Sequence, residues 1–177
     1  LRIIGGKYKG RVIAVSRRFK ARPTTDFARE SLFNILSNLI EFEKVKVLDL
    51  FGGTGSLSFE FASRGCQSID IVDKDIHSLK AVQEMAGKLG IKGMNTIRTD
   101  AFRYIRSCHK KYDVIFADPP YTLEALQTIP ALVFDSSLLE KDGMLILEHP
   151  KSIDFSGHAH FSDHRKYGHV NFSFFRS

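Results

Sequence analysis

The chain has 177 residues, 43% of them hydrophobic, with 26 Lys and Arg against 20 Asp and Glu for a net charge of +6. That length suits a single domain spanning 1–177 with a substantial core, and two distant cysteines, Cys66 and Cys108, argue against a disulfide scaffold or a cysteine zinc site and fit a reducing cytoplasm. No apolar run reaches the length of a membrane span and no signal-peptide pattern opens the chain, so no membrane partner is expected.

The charge is concentrated at the start. Arg2, Lys7, Lys9, Arg11, Arg17, Arg18, Lys20 and Arg22 fall within residues 1–22, which contain no acid; this stretch carries +8 and the remainder −2. A basic segment of this density is either a solubilising arm or a footprint for phosphates, and charge alone does not separate the two. Residues 1–13 are expected to form a short basic hairpin punctuated by Gly5, Gly6 and Gly10. Arg22-Pro23 breaks the chain, and the core of the domain is expected over 23–177. Thr24 or Thr25 then caps a helix running to about Ile40, with Phe27, Leu32, Ile35, Leu36 and Leu39 near helical spacing.

From residue 45 strands and helices alternate. Strands are expected at 45–50, 69–73, 96–99, 112–118 and 144–148, and helices at 56–63, 76–89, 102–107 and 123–133. Two further strands, 160–166 and 169–175, flank Tyr167-Gly168 as a hairpin, with Phe172, Phe174 and Phe175 packing the last of them. The pattern predicts an α/β Rossmann-like fold, a mostly parallel sheet ending in an antiparallel hairpin. Lys110-Lys111 is expected to be a solvated loop. The seven histidines lack Cys or HExxH-like partners, so no metal site is assigned.

Two segments carry chemistry. Asp49-Leu50-Phe51-Gly52-Gly53-Thr54-Gly55-Ser56 closes the first strand with a glycine loop, whose backbone can approach a ligand without Cβ atoms in the way. Ser58 stands where a dinucleotide fingerprint has its third glycine, and Asp49 is unfriendly to pyrophosphate but suits an ammonium group and a cationic sulfur. Asp73 ends the next strand about 20 residues on, where a ribose-binding carboxylate belongs, with Asp75 as the alternative register. Asp100-Ala101 follows the third strand, placed to meet an adenine amine. All three acids fall on the carboxyl edge of the sheet, where open α/β folds bind ligands.

The second segment is Asp118-Pro119-Pro120-Tyr121. Its prolines fix φ and remove donors, so the Asp118 carboxylate and the Pro119 carbonyl can face one amine while Tyr121 stacks on a base. An exocyclic amine is a poor nucleophile because its lone pair is delocalised; acceptors on its N–H groups favour the pyramidal nitrogen that attacks a methyl group. Asp118 can then take the proton. Together the two segments point to methyl transfer to nucleic acid.

With these residues in place, the chain resembles the RsmD family of bacterial methyltransferases, which modify guanine N2 in small-subunit (16S) ribosomal RNA. The resemblance runs through RIIGGKYKGR at the start, RPTTDFARESLFNIL at 22–36, LDLFGGTGSLSFE at 48–60, SRG at 63–65, DVIFADPPY at 113–121 and KYG at 166–168. It implies a class I fold with S-adenosylmethionine held by Asp49, Phe51, Gly52, Gly53, Gly55, Ser56, Asp73, Lys74, Asp100 and Ala101, with Arg22 and Thr24 closing over the site. It also implies Asp118, Pro119, Pro120 and Tyr121 as the target-amine site, and RNA contact by Arg2, Lys7, Lys9, Arg11, Arg17 and Arg18. The implied enzyme is a cytoplasmic monomer acting on 16S rRNA, within the 30S subunit or an assembly intermediate. The alternatives are an adenine-N6 DNA methyltransferase, which shares DPPY but usually needs a separate recognition domain, and a non-catalytic RNA-binding or assembly protein on the same fold.

Overall fold

The computed structural model describes residues 1–13 and 24–177. In chain order its elements are α1 (Asp26–Leu36), β1 (Lys46–Asp49), α2 (Ser56–Ser63), β2 (Ser68–Asp73), α3 (Ile76–Leu89), β3 (Met94–Arg98), α4 (Ala101–Ser107), β4 (Tyr112–Ala117), a 3-10 turn (Glu124–Thr128), α5 (Ile129–Asp135), β5 (Leu139–His149), β6 (Phe161–Tyr167) and β7 (Val170–Arg176). The seven strands form one sheet in the order β3-β2-β1-β4-β5-β7-β6. β1 to β5 pair in parallel, and β7 enters antiparallel to both β5 and β6. This is the class I arrangement that the resemblance implies.

Period-2 alternation divides the strands between two apolar layers. Val47, Val114, Phe116, Ile146 and Phe172 face one layer, with Leu32 and Phe33 of α1, Phe59 of α2 and Val82 of α3. Leu48, Ile115, Ala117, Leu145 and Leu147 face the other, with Ile105 of α4 and Ile129 and Val133 of α5. Phe172, Phe174 and Phe175 are all buried, because β7 lies inside the sheet with both faces covered.

The N-terminal hairpin does form, as a short one: Arg2 bridges Val12 antiparallel, with Ile3 N–H on the Arg11 carbonyl at 2.9 Å, Gly10 N–H on the Ile3 carbonyl at 2.8 Å and Ile13 N–H on the Leu1 carbonyl at 2.7 Å. Its tip spends its donors elsewhere: Ile4 N–H on the Glu60 carboxylate at 2.6 Å, Lys7 N–H on the Ser63 carbonyl at 2.7 Å and Tyr8 N–H on Ser63 Oγ at 2.9 Å. Several elements depart from expectation. The first helix ends at Leu36 rather than Ile40, where the Ser37 hydroxyl bonds back to the Phe33 carbonyl at 2.8 Å. The helix expected over 123–133 is split in two, because Pro130 has no N–H to give the Leu126 carbonyl. Lys110 is not simply solvated: its Nζ donates to buried Asp70 at 2.7 Å, beside the Tyr112 hydroxyl at 2.6 Å.

The apolar face of α1 also differs. Phe27 is 65% exposed, edge-on to Tyr167, while Arg29 is fully buried. Arg29 donates to the Arg2 carbonyl at 2.9 Å and Asp26 at 2.6 Å, and pairs with Glu60 of α2 at 3.5 Å. Glu60, also fully buried, pairs with Arg64 as well. This network fastens the N-terminal segment to two helices. Removing one member of a buried charge network leaves the others uncompensated, at a cost of about 3–5 kcal/mol. Glu60→Ala is therefore expected to lower the urea midpoint steeply without touching the site; an unchanged midpoint would refute this role for the network.

Candidate active site

Each parallel strand delivers its last residues to one edge of the sheet. Alternation sets their faces: Asp49 shares the face of Val47, and Asp118 and Glu148 share the face of Phe116 and Ile146. Ala117 is level with Leu147 across β4 and β5, so Asp118 and Glu148 are the next pair along. Asp49 is level with Phe116, one repeat further back. Three carboxylates thus lie on one face of three neighbouring strands spaced about 4.8 Å apart, with Asp49 set back from Asp118 by one two-residue repeat.

The glycine loop wraps the Asp49 end. Gly52 N–H donates to the Val72 carbonyl at 2.9 Å, and a Cβ there would collide with the Ile71 side chain. Gly55, at φ +72°, makes the left-handed turn that starts α2. The Asp73 carboxylate accepts from Gly53 N–H at 2.8 Å and from Asp75 N–H at 2.8 Å, so it faces the loop at the end of β2. Asp75 caps α3, accepting from His77 N–H at 3.0 Å and from the Ser78 hydroxyl at 2.9 Å. Asp100 caps α4 through Arg103 N–H at 3.1 Å and pairs with Lys74 at 3.5 Å on the rim, with Ala101 buried beneath. Phe51 and Ser56 are half-buried at the loop mouth.

Asp49 is buried and accepts from the Ser58 hydroxyl at 2.7 Å. The residue that broke the glycine fingerprint is thus the one that orients this acid. Among the described residues no cation pairs with Asp49. Burial pushes its carboxyl up to about 6, against the Ser58 and Phe51 hydrogen bonds that favour the charged form. An uncompensated buried carboxylate beside a glycine cradle is a fitting place for a ligand that carries positive charge.

The acids at the other end form a second cluster. Glu148 is buried; one oxygen accepts from the Thr24 hydroxyl at 2.7 Å and the other from the Tyr121 hydroxyl at 3.1 Å. Tyr121 keeps 46% of its surface exposed, so it is not a core residue. Asp118 is held well above the usual carboxylate range by burial, then by the charges of Glu148 and Asp49. Glu148 is raised by burial against the two hydroxyl donors, and the Tyr121 hydroxyl is raised by burial and by the neighbouring Glu148. Pro119 is buried and Pro120 exposed, and the turn is closed by Leu123 N–H donating to the Pro120 carbonyl at 2.9 Å.

Glu148 was not singled out in the sequence. Its signal was there, an acid ending an apolar strand, but that β5 lies beside β4 is a matter of strand order. The basic residues divide. Arg2, Lys7, Lys9 and Arg11 are exposed, Arg2 while pairing with Asp26 at 3.2 Å. The tip with Lys7 docks on Ser63, the last residue of α2, whereas the glycine loop precedes the first. The length of α2 separates them, about 12 Å at 1.5 Å per residue. A cavity of about 800 Å³ opens at that far edge, lined by Lys7, Tyr8, Arg64, Gln67 and Lys92, away from the acids. Arg17, Arg18 and Arg22 lie outside the described residues.

Residues 1–176 match the family described as Conserved hypothetical protein 95. The chain is similar to ribosomal RNA small subunit methyltransferase D of Buchnera aphidicola subsp. Baizongia pistaciae, 31% identical over 157 residues, 87% of this chain and 78% of that protein. It is similar to ribosomal RNA small subunit methyltransferase D of Escherichia coli (strain K12), 28% identical over 148 residues, 84% of this chain and 74% of that protein. Among solved structures, a hypothetical protein of Thermus thermophilus superposes with a TM-score of 0.87 at 26% identity, covering 100% of this chain and 99% of that one.

Proposed function

This chain belongs to the family described as Conserved hypothetical protein 95, and on that footing we propose that it methylates the exocyclic N2 amine of a guanine in small-subunit ribosomal RNA, with S-adenosylmethionine as donor. Relatives named as small-subunit rRNA methyltransferases over most of the chain support the substrate class. The observation that carries the reading is the row of acids on one face of the sheet, Asp49 beside the glycine cradle and Asp118 one repeat further along.

Asp49, the loop Phe51 to Ser56, Asp73 and the rim pair Lys74 and Asp100 would hold the cofactor. When bound, S-adenosylmethionine supplies a methyl group activated on a cationic sulfur. The chain's own residues do the rest. Tyr121 offers an exposed ring for a base that has left its stack. Asp118 accepts a hydrogen bond from the amine and directs its lone pair toward the methyl group. As nitrogen gains the methyl carbon and sulfur loses it, the amine proton passes to Asp118. Holding the reacting atoms in line contributes up to roughly 7–11 kcal/mol. The setting is the cytoplasm, and the substrate a 30S subunit or assembly intermediate met by a monomer.

The test is transfer of labelled methyl from S-adenosylmethionine to small ribosomal subunits from cells lacking this protein, with the modified nucleoside identified. N2-methylguanosine is the expected product. N6-methyladenosine would move the assignment to the adenine reaction, and absence of cofactor binding would favour a non-catalytic RNA-binding role.

The basic tip is a separate contact, remote from the mouth. Reversing Lys7, Lys9 and Arg11 to Glu is expected to weaken RNA binding and to reduce the slope of log affinity against log salt by roughly 2, three lost phosphate contacts at about 0.7 each. An unchanged slope would leave these residues without a phosphate role.

A further inference from the structure

Among the described residues, the mouth of the site offers acceptors and few free donors. Asp118 and Glu148 stand level on adjacent strands and on the same face. Of the two hydroxyls beside them, Tyr121 donates to Glu148, and Thr24 donates to Glu148 while lying within hydrogen-bond reach of Asp118 as well. Each Glu148 oxygen keeps a second lone pair, and the two hydroxyls fix its plane between the tyrosine ring and the start of α1.

Such a wall complements one kind of base edge. Guanine presents N1–H and the N2 amine side by side, two contiguous donors. Adenine presents the N6 amine beside N1, a donor beside a bare lone pair. With the amine on Asp118 and its N1 edge turned toward β5, the base would meet Glu148 at N1.

We propose that Glu148 is the specificity-determining residue that selects guanine over adenine, accepting guanine N1–H while Asp118 accepts the N2 amine. This rests on the reading of the site as an amine-methylating one. Glu148 is buried, where an unmatched polar contact is costly, so a base with a lone pair at this position is rejected strongly. Sites built to hydrogen-bond one substrate group reject analogues that cannot by as much as ~10⁴-fold.

The probe is 2-aminopurine, which keeps the exocyclic 2-amine but has a bare acceptor at N1. Small subunits are reconstituted with guanine or 2-aminopurine at the position that the wild-type chain methylates. Wild-type kcat/KM is expected to fall at least ~100-fold on 2-aminopurine. In Glu148→Gln the amide places N–H donors beside N1, and the guanine-to-2-aminopurine ratio is expected to collapse by at least tenfold relative to wild type (roughly one good hydrogen bond). Comparing ratios removes the intrinsic difference between the two amines.

Glu148→Gln losing the same factor on both bases would overturn the proposal, since a residue that only positions Tyr121 does not sense N1. Equal wild-type rates on the two bases would also overturn it, without need of any variant. If wild type transfers nothing to the guanine subunit, the functional reading itself fails. That outcome is distinct from loss of discrimination by an active enzyme.

Discussion

Asp118→Asn is expected to lower kcat roughly 10³-fold, about 4 kcal/mol, while S-adenosylmethionine binding survives. The amide keeps the shape of the side chain and one acceptor. It cannot take the amine proton, and it can turn its N–H groups toward the nitrogen that must attack. Cofactor binding is expected to persist because Asp118 lies one repeat beyond Asp49 and the loop. The pH profile carries a second signature. Burial and the charges of Glu148 and Asp49 raise the Asp118 carboxyl, so at low pH it holds a proton and cannot act as a base. Wild-type kcat is therefore expected to rise with pH and then level, and the residual activity of Asp118→Asn to lack that limb. Glu148→Gln removes a neighbouring negative charge, so its limb should shift to lower pH. Single-turnover rates across pH check all three; Asp118→Asn retaining wild-type turnover would end its assignment as the acceptor.

The parts legible in the sequence were those governed by local rules. The βα alternation announced the parallel sheet, Thr25 capped α1, and Gly55 and Gly90 bracketed α2 and α3 where the periodicity put them. Asp49, Asp73 and Asp100 were legible as strand-end acids because a parallel sheet delivers all such residues to one edge. Their contacts within the fold were not. Asp100 caps α4 and pairs with Lys74, and Asp73 ties the glycine loop to α3, contacts set by which neighbours the fold supplies. Glu148 escaped notice because its importance comes from two hydroxyls, one 124 residues away in sequence. Arg29 shows the same limit from the other side. A cation belongs on the wet face of a helix unless another element supplies a buried acid, and Glu60 of α2 does so, leaving Phe27 to face outward. Periodicity counts positions along one element and cannot see the partner.

Asp49→Asn is expected to make the protein more stable and nearly useless for binding its cofactor. The folded state holds the Asp49 carboxyl at about 6, against 3.8 for the free group, chiefly because burial disfavours its charge. Between those values the folded chain binds a proton that the unfolded chain has released. Stability from this group is therefore present at low pH and lost as pH rises through the window from about 4 to about 6. At neutral pH the charged form costs about 3 kcal/mol, two pKa units at about 1.4 kcal/mol each. Asparagine removes the charge and keeps a partner for the Ser58 hydroxyl. A gain of up to about 3 kcal/mol raises the melting temperature by roughly 5–10 °C in a chain of this size. The same substitution removes the counter-charge for a cationic ligand, and affinity should fall at least ~100-fold, the cost of leaving such a charge unpaired in a buried site. Calorimetry at pH 7 and pH 5 checks the argument: the melting temperature gained by Asp49→Asn over wild type should shrink at pH 5, where wild-type Asp49 already holds a proton. Saturating wild type with S-adenosylmethionine at pH 7 should narrow the gap from the other side, because the ligand compensates the same charge. A variant no more stable than wild type at pH 7 would mean that Asp49 is not strained by its burial, and the electrostatic case for a cationic ligand at this position would fall with it.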